Sequence, residues 1–132
     1  MQAQILNLLM KLQRQHHISY LFITHNLAVV SYLADEVAVM YLGRIVEQGG
    51  VEQILAVPLH PYTQALLSAV PVADPRSKRE VIRLQGDMPS AADPPAGCHF
   101  HPRCPRAVAA CRHSYPQQRQ LDDGRRLSCH LY

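Results

Sequence analysis

Nine of the ten prolines in this 132-residue chain fall between Pro58 and Pro105, and that distribution limits what each half can become. Proline fixes its own φ and lacks a backbone N–H, so helix interiors and central strands exclude it. Regular elements must therefore concentrate before Pro58. After Pro71 a loop-rich body is expected, held by something other than backbone ladders.

The first half carries the periodicities of an α/β sheet. Ile5, Leu8, Leu9 and Leu12 recur at helical spacing and predict a helix over 2–16. Residues 18–24 (ISYLFIT) are a nearly continuous run of strand formers, suited to a parallel strand covered on both faces. Asn26 can cap a second helix over 27–33, because its side-chain oxygen accepts a backbone N–H. Residues 37–42 (VAVMYL) read as another strand, Gly43-Arg44 as a two-residue turn, and Ile45 and Val46 as the return. Short helices are predicted over 51–57 and 61–70, the second with Pro61 in its first turn. Residues 71–97 are rich in Pro, Ala and Asp and hold one candidate strand, 81–84. From Cys98 onward no regular period survives. The expected fold class is α/β. A parallel sheet needs more strands and covering helices than these elements supply, so the chain reads as starting inside a domain.

Charge narrows the function classes. The net charge is +3, and Arg103, Arg106, Arg112, Arg119, Arg125 and Arg126 are dispersed among loops. Nucleic acid would require a denser basic footprint, so no nucleic-acid partner is expected. The longest apolar stretch, 27–42, is broken by Asp35 and Glu36, and a membrane span needs about 20 uninterrupted apolar residues. No basic segment leads into an apolar one at the N-terminus, as a signal peptide would require. These features point to a soluble, cytoplasmic chain, in which four cysteines signify metal or redox chemistry before disulfides.

The stretch FITHNLAVVSYLADEVAVMYLGRIVEQG (22–49) closely resembles the end of an ABC transporter nucleotide-binding domain. There a strand ends in a switch histidine that contacts the nucleotide γ-phosphate, the position held by His25. Residues 2–16 resemble the helix that follows the family's D-loop. HPYTQALLSAVP (60–71) and GDMPSAADPPAGCHFHPRCP (86–105) resemble the oligopeptide/dipeptide (peptide/nickel) permease branch and its C-terminal extension. The physics of His25 agrees: in open α/β sheets ligands bind beyond the carboxyl ends of strands. An imidazole there can bond a phosphate oxygen and orient attacking water. The family usually places Asp after that histidine, whereas this chain has Asn26, which keeps the capping ability and loses a charge.

The resemblance implies a domain division. Residues 1–57 would be the C-terminal part of an ABC ATPase (P-loop NTPase) domain. Residues 58–132 would be the permease-type extension, with a cysteine module at 98–129. It implies ATP and Mg2+ as cofactors of the complete parent. The implied partners are an N-terminal half of the ATPase domain, a second ATPase subunit and membrane permease subunits. Assembly would place the chain peripherally on the cytoplasmic face of the inner membrane. The sequence has no GxxxxGK[ST] loop to cradle phosphates. The Q-loop, signature motif, magnesium-binding Asp and catalytic Glu are also absent. The chain alone is therefore expected neither to hydrolyse ATP nor to bind it measurably, and import of di- or oligopeptides would be the parent's function. Two other readings are a free-standing metal-binding module and a truncated gene product without function.

Cys98, Cys104, Cys111 and Cys129 are separated by five, six and seventeen residues. That spacing lacks the close pairs usual for structural zinc. Pro94, Pro95, Pro102, Pro105 and Pro116 stiffen the intervening loops, and so small a core would benefit from a metal staple. Four thiolates can hold an iron–sulfur cluster. The resemblance favours a four-iron four-sulfur cluster; Zn2+, or no metal and ordinary free or oxidised thiols, are the alternatives. His99, His101, His113 and His130 lie in the same region and could replace a cysteine in a zinc site; as loop residues they need no such role. His60 reads as a helix-start or packing residue, and His16 and His17 as complements to a helix C-terminus. Asp35 and Glu36 are adjacent in an extended segment and so face apart, which rules out an acid/base pair. Ser19, Ser31 and Ser68 show no hydrolase arrangement.

Overall fold

The computed structural model describes residues 2–71 and 80–132. Residues 72–79 of the linker read over 71–97 lie outside the described residues. Contacts divide the chain into two units, with the boundary between Asp35 and Glu36.

The first unit contains helix α1 (Gln2–His16) and helix α2 (Leu27–Leu33). Helix α1 closes with Arg14 and His16 in its last turn, where cations suit the partial negative charge of the free carbonyls. His17 follows at φ +52°, a left-handed residue of the kind that stops helices. Asn26 caps α2 as expected, its Oδ1 accepting from Ala28 N at 3.0 Å and Val29 N at 3.4 Å. Tyr32 Oη donates to Asn7 Oδ1 at 2.5 Å, a link between the two helices. The strand expected over 18–24 is not formed. Leu21 is 92% and Ile23 95% exposed. A strand is defined by its ladder, and among the described residues none pairs with this run; strand propensity alone cannot supply the partner.

The second unit is built on a hairpin of β1 (Glu36–Tyr41) and β2 (Arg44–Gly50). Tyr41 pairs with Arg44, so the turn is Leu42-Gly43 rather than Gly43-Arg44. Both residues have positive φ, 43° and 76°. That is the primed turn whose twist matches the strands, and Gly43 takes the second site without strain. The register shifts between Val39 and Met40, leaving Val46 as an extra residue in β2. Strict alternation would bury only one of Val46 and Glu47. The bulge turns both inward, to 4% and 0% exposure.

Helices α3 (Val51–Ala56) and α4 (Pro61–Ser68) follow close to their expected positions. Gln53 reaches back to accept from Gly50 N at 3.2 Å and so closes the start of α3. The strand expected over 81–84 is absent; Ile82 N instead donates to Ser68 Oγ at 3.0 Å. The tail contains a 3-10 turn (His101–Arg103), helix α5 (Ala110–His113), β3 (Arg119–Gln120) and β4 (Arg126–Leu127). Strand β4 pairs with the free side of β2, giving the order β1-β2-β4-β3 with every described pairing antiparallel. The fold is mixed α/β, as expected, but its described sheet is small and antiparallel. Phe100, Ile54 and Leu127 are the largest apolar side chains buried, each worth about 2 kcal/mol of transfer free energy.

Candidate functional site

Two sets of candidate residues were marked in the sequence, and they fall in different units. His25 lies in the bend just before α2 and is exposed. It follows no strand, for the reason given above. Next to it, Asn26 N donates to Thr24 Oγ1 at 3.0 Å, so the bend is shaped by its own side chains.

The four cysteines are all in the second unit and all free. Cys98 and Cys111 are buried in one cluster with Tyr41, Val46 and Phe100, and Cys104 packs against that cluster. Cys104 and Cys129 are half-buried. Backbone geometry draws the first segment onto α5: Cys98 N donates to Cys111 O at 2.8 Å. Gly97 sits at φ +70°, and a Cβ there would lie 2.8 Å from the Arg112 carbonyl carbon. Only glycine lets the two segments approach so closely.

Burial pushes the thiols of Cys98, Cys104 and Cys129 above their ordinary range, and neighbouring cysteines push the same way. Three backbone amides oppose this. The backbone of Phe100 lowers the Cys98 thiol, that of Arg106 the Cys104 thiol and that of Leu131 the Cys129 thiol. Each comes from the residue two positions on, so each thiol lies in the crook of its own turn. The Arg106 charge also favours the thiolates of Cys104 and Cys129. Burial outweighs both, so the net effect on all three thiols favours the neutral form.

Among the described residues, no three His, Cys, Asp or Glu side chains form a group that could hold a metal ion. Two of the four marked histidines bond backbone carbonyls, while His99 Nδ1 is buried without a hydrogen-bond partner among the described residues. His101 Nδ1 lies 2.9 Å from Cys98 O, and His130 Nε2 lies 2.9 Å from Ser114 O. The His99 ring meets the edge of Tyr115 at 5.1 Å, and Arg44 stacks over the same Tyr115 at 5.1 Å.

A buried polar latch went unmarked in the sequence. Glu47 is 0% exposed and accepts from Leu59 N and His60 N, both at 3.0 Å. Arg125, 7% exposed, reaches the same carboxylate at 3.7 Å, bonds Asp123 Oδ2 at 2.7 Å through Nε, and donates to Val57 O at 2.5 Å. His60 caps α4, its Nδ1 accepting from Tyr62 N at 3.1 Å. Burial lowers the His60 pKa from 6.5 to about 4, so the ring stays neutral and that nitrogen stays an acceptor. Tyr41, Tyr62 and Phe100 pack edge-on beside it, with ring centroids 4.7 to 5.4 Å apart. The latch therefore ties β2, the start of α4 and the 121–125 turn into one body. Without the bulge at Val46, Glu47 would share the exposed face of Ile45. Nothing in IVEQG announces a bulge, so alternation misplaced the one residue on which the latch depends.

Residues 46–111 match the family described as "Oligopeptide/dipeptide transporter, C-terminal region". The chain belongs to that family. The matched stretch takes in Glu47, His60 and the three cysteines around α5, so latch and cysteine turns are both inside it. The chain is 52% identical to the probable peptide ABC transporter ATP-binding protein y4tS of Sinorhizobium fredii, over 98% of this chain and 37% of that protein. It is 52% identical to the dipeptide transport ATP-binding protein DppF of Haemophilus influenzae, over 96% of this chain and 39% of that protein. It is 48% identical to the oligopeptide transport ATP-binding protein AppF of Bacillus subtilis, over 99% of this chain and 40% of that protein. The chain thus spans about two fifths of the length of these curated relatives. Among the described residues no helix is long and apolar enough to cross a membrane.

Proposed function

We propose that this chain is the C-terminal part of the ATP-binding subunit of an ABC importer for di- or oligopeptides. The observation that carries the reading is likeness along nearly the whole chain, at about half identity, to proteins named as peptide-transport ATP-binding proteins. Residues 1–57 act as the closing segment of the nucleotide-binding domain and 58–132 as its extension. Within the second unit the Glu47–Arg125 contact and the β2–β4 pairing join residues on either side of that division.

His25 is the residue we assign to the nucleotide. Its exposed imidazole can donate to a γ-phosphate oxygen and hold the attacking water in line, work that is positional and electrostatic. The phosphate cradle, the magnesium ligands and the general base come from the rest of the ATPase, since the sequence holds no GxxxxGK[ST] loop. A second ATPase subunit and the permease subunits complete the assembly at the cytoplasmic face of the inner membrane.

The cysteine module takes a structural four-iron four-sulfur cluster on Cys98, Cys104, Cys111 and Cys129. The reading is supported by the resemblance and by residue type, four free thiols in a unit with few large aliphatic side chains in its core, although the described side chains are not drawn together as a metal group. Bound there, the cluster supplies cross-linking of loops that backbone ladders do not reach. The chain's own residues shape the turns and shield the sulfurs.

A chimaera tests the importer reading. Residues 1–132 would replace the corresponding segment of the Haemophilus influenzae relative, assembled with that relative's permease. The expected result is ATP-driven dipeptide uptake, with His25→Ala lowering hydrolysis by about 10²-fold or more. A stably assembled chimaera without hydrolysis would reject it. The cluster is tested separately, by iron and acid-labile sulfide on anaerobically purified chain: about four of each are expected per polypeptide.

A further inference from the structure

Cys98 and Cys111 are set apart from the other two thiols by their backbone. The 2.8 Å bond from Cys98 N to Cys111 O holds these residues as neighbours across two segments. Covalent geometry limits the Cα atoms of two residues joined by one such bond to at most about 6.7 Å apart. A disulfide accepts Cα separations of about 4.4–6.8 Å, so the pair lies within its reach. Both side chains enter the same buried cluster, beside Tyr41, Val46 and Phe100. The approach is fixed again at Gly97, which packs against the backbone of residues 111 and 112. Cys104 and Cys129 share no such bond: the Cys104 amide donates to His101 O, and the Cys129 carbonyl accepts from Tyr132 N.

We propose that Cys98 and Cys111 form a reversible disulfide when the thiols carry no metal and meet hydrogen peroxide. The pair is a redox-sensitive latch that keeps the Gly97–Phe100 turn on α5. One thiol is oxidised to sulfenic acid as the peroxide O–O bond breaks, releasing one water. The second sulfur then attacks the sulfenic sulfur and forms the S–S bond. Its proton leaves with the displaced hydroxide as a second water. Two thiols have lost two electrons and peroxide has gained them. The pair serves the protein as a substitute staple when metal is lost. It goes beyond the cluster reading and does not depend on it, because it concerns only the metal-free thiols.

The experiment uses the whole chain, purified anaerobically, stripped with a chelator, and exposed to hydrogen peroxide in small excess. After alkylation of the remaining thiols, trypsin cleaves at Arg103 and Arg106 and separates Cys98 from Cys111 unless they are joined. The expected product is one linked peptide pair containing Cys98 and Cys111, lost on treatment with dithiothreitol, with Cys104 and Cys129 alkylated. A dominant link to Cys104 or Cys129, a link between chains, or sulfinic acid at Cys98 or Cys111 without any disulfide overturns the proposal. The C104S/C129S double variant, in which only the proposed pair remains, should form the same link to the same extent. Failure of that variant to cross-link while its near-ultraviolet dichroism matches the parent also overturns it. Metal analysis of the untreated sample decides the cluster question independently.

Discussion

Acidification should weaken the second unit through His60, and the structure sets the size of the effect. His60 is 1% exposed, and its Nδ1 accepts the Tyr62 amide. A proton on Nδ1 would turn that acceptor into a donor facing another donor, and would put a charge beside Phe100, whose ring centroid lies 5.7 Å away. Burial accordingly holds the folded pKa at about 4, against 6.5 for the free ring. The unfolded chain takes up a proton as pH falls through about 6.5, while the folded chain takes it up only near about 4. The stability is therefore intact above about pH 6.5 and is lost across the interval down to about 4. Between about pH 7.5 and pH 5 the loss attributable to this ring is about 2 kcal/mol. Other groups contribute to the pH dependence, so the comparison needs a matched variant. His60→Asn supplies it: an Asn oxygen can accept the same N–H and does not titrate. Urea midpoints would be followed by near-ultraviolet dichroism in a Y20F/Y32F background, where the remaining tyrosines, Tyr41 and Tyr62 among them, all lie in this unit. The parent should lose about 2 kcal/mol more than His60→Asn between the two pH values. Parallel losses in the two proteins would refute the argument that burial keeps this ring neutral.

Three further outcomes follow from the latch and the turns. Arg125→Ala should destabilise the second unit by about 3 kcal/mol, because it leaves Glu47 buried with two amides and no counter-charge. A shift below about 1 kcal/mol in urea melts would mean that the carboxylate does not need Arg125. Gly97→Ala should cost about 2 kcal/mol or more, adding a backbone clash to left-handed strain, whereas Gly124→Ala, at φ +85° in open space, should cost only about 1. Equal costs for the two would remove the close approach to α5 as the cause. Cys104→Ala should raise tail cleavage by protease in the iron-loaded chain, and unchanged digestion patterns would count against a structural metal.

Sequence reasoning found those elements whose cause is local. Asn26, Pro61 and the apolar period of residues 2–16 each act within one turn, so caps and helices fell close to where they were read. It failed wherever the cause lay across the chain. The run 18–24 has a strand's composition but no partner among the described residues. The turn moved by one residue because the register of the ladder, not the dipeptide, selects the turn positions. Strands β3 and β4 are two residues each, too short to leave a period, and exist because β2 offers them an edge. For the sites, the four cysteines were visible as residue types, but the backbone bond from Cys98 N to Cys111 O that joins two of their segments carries no compositional mark. Glu47 and Arg125 are 78 positions apart, and neither looks unusual alone.

Strand β2 takes one partner from the residues just before it and the other from near residue 127. During synthesis the hairpin can close as soon as Gly50 is available, but the opposite edge of β2 must wait for β4 to emerge from the ribosome. For most of that interval the nascent chain presents an open strand edge, the kind of surface on which misassembly begins. The buried carboxylate of Glu47 sits on that strand, and an unpaired charge there opposes premature burial by a wrong neighbour. Vectorial synthesis thus makes residues 125–127 the closing step of this unit, and a stall shortly before them is the point at which the nascent chain is most in need of a chaperone.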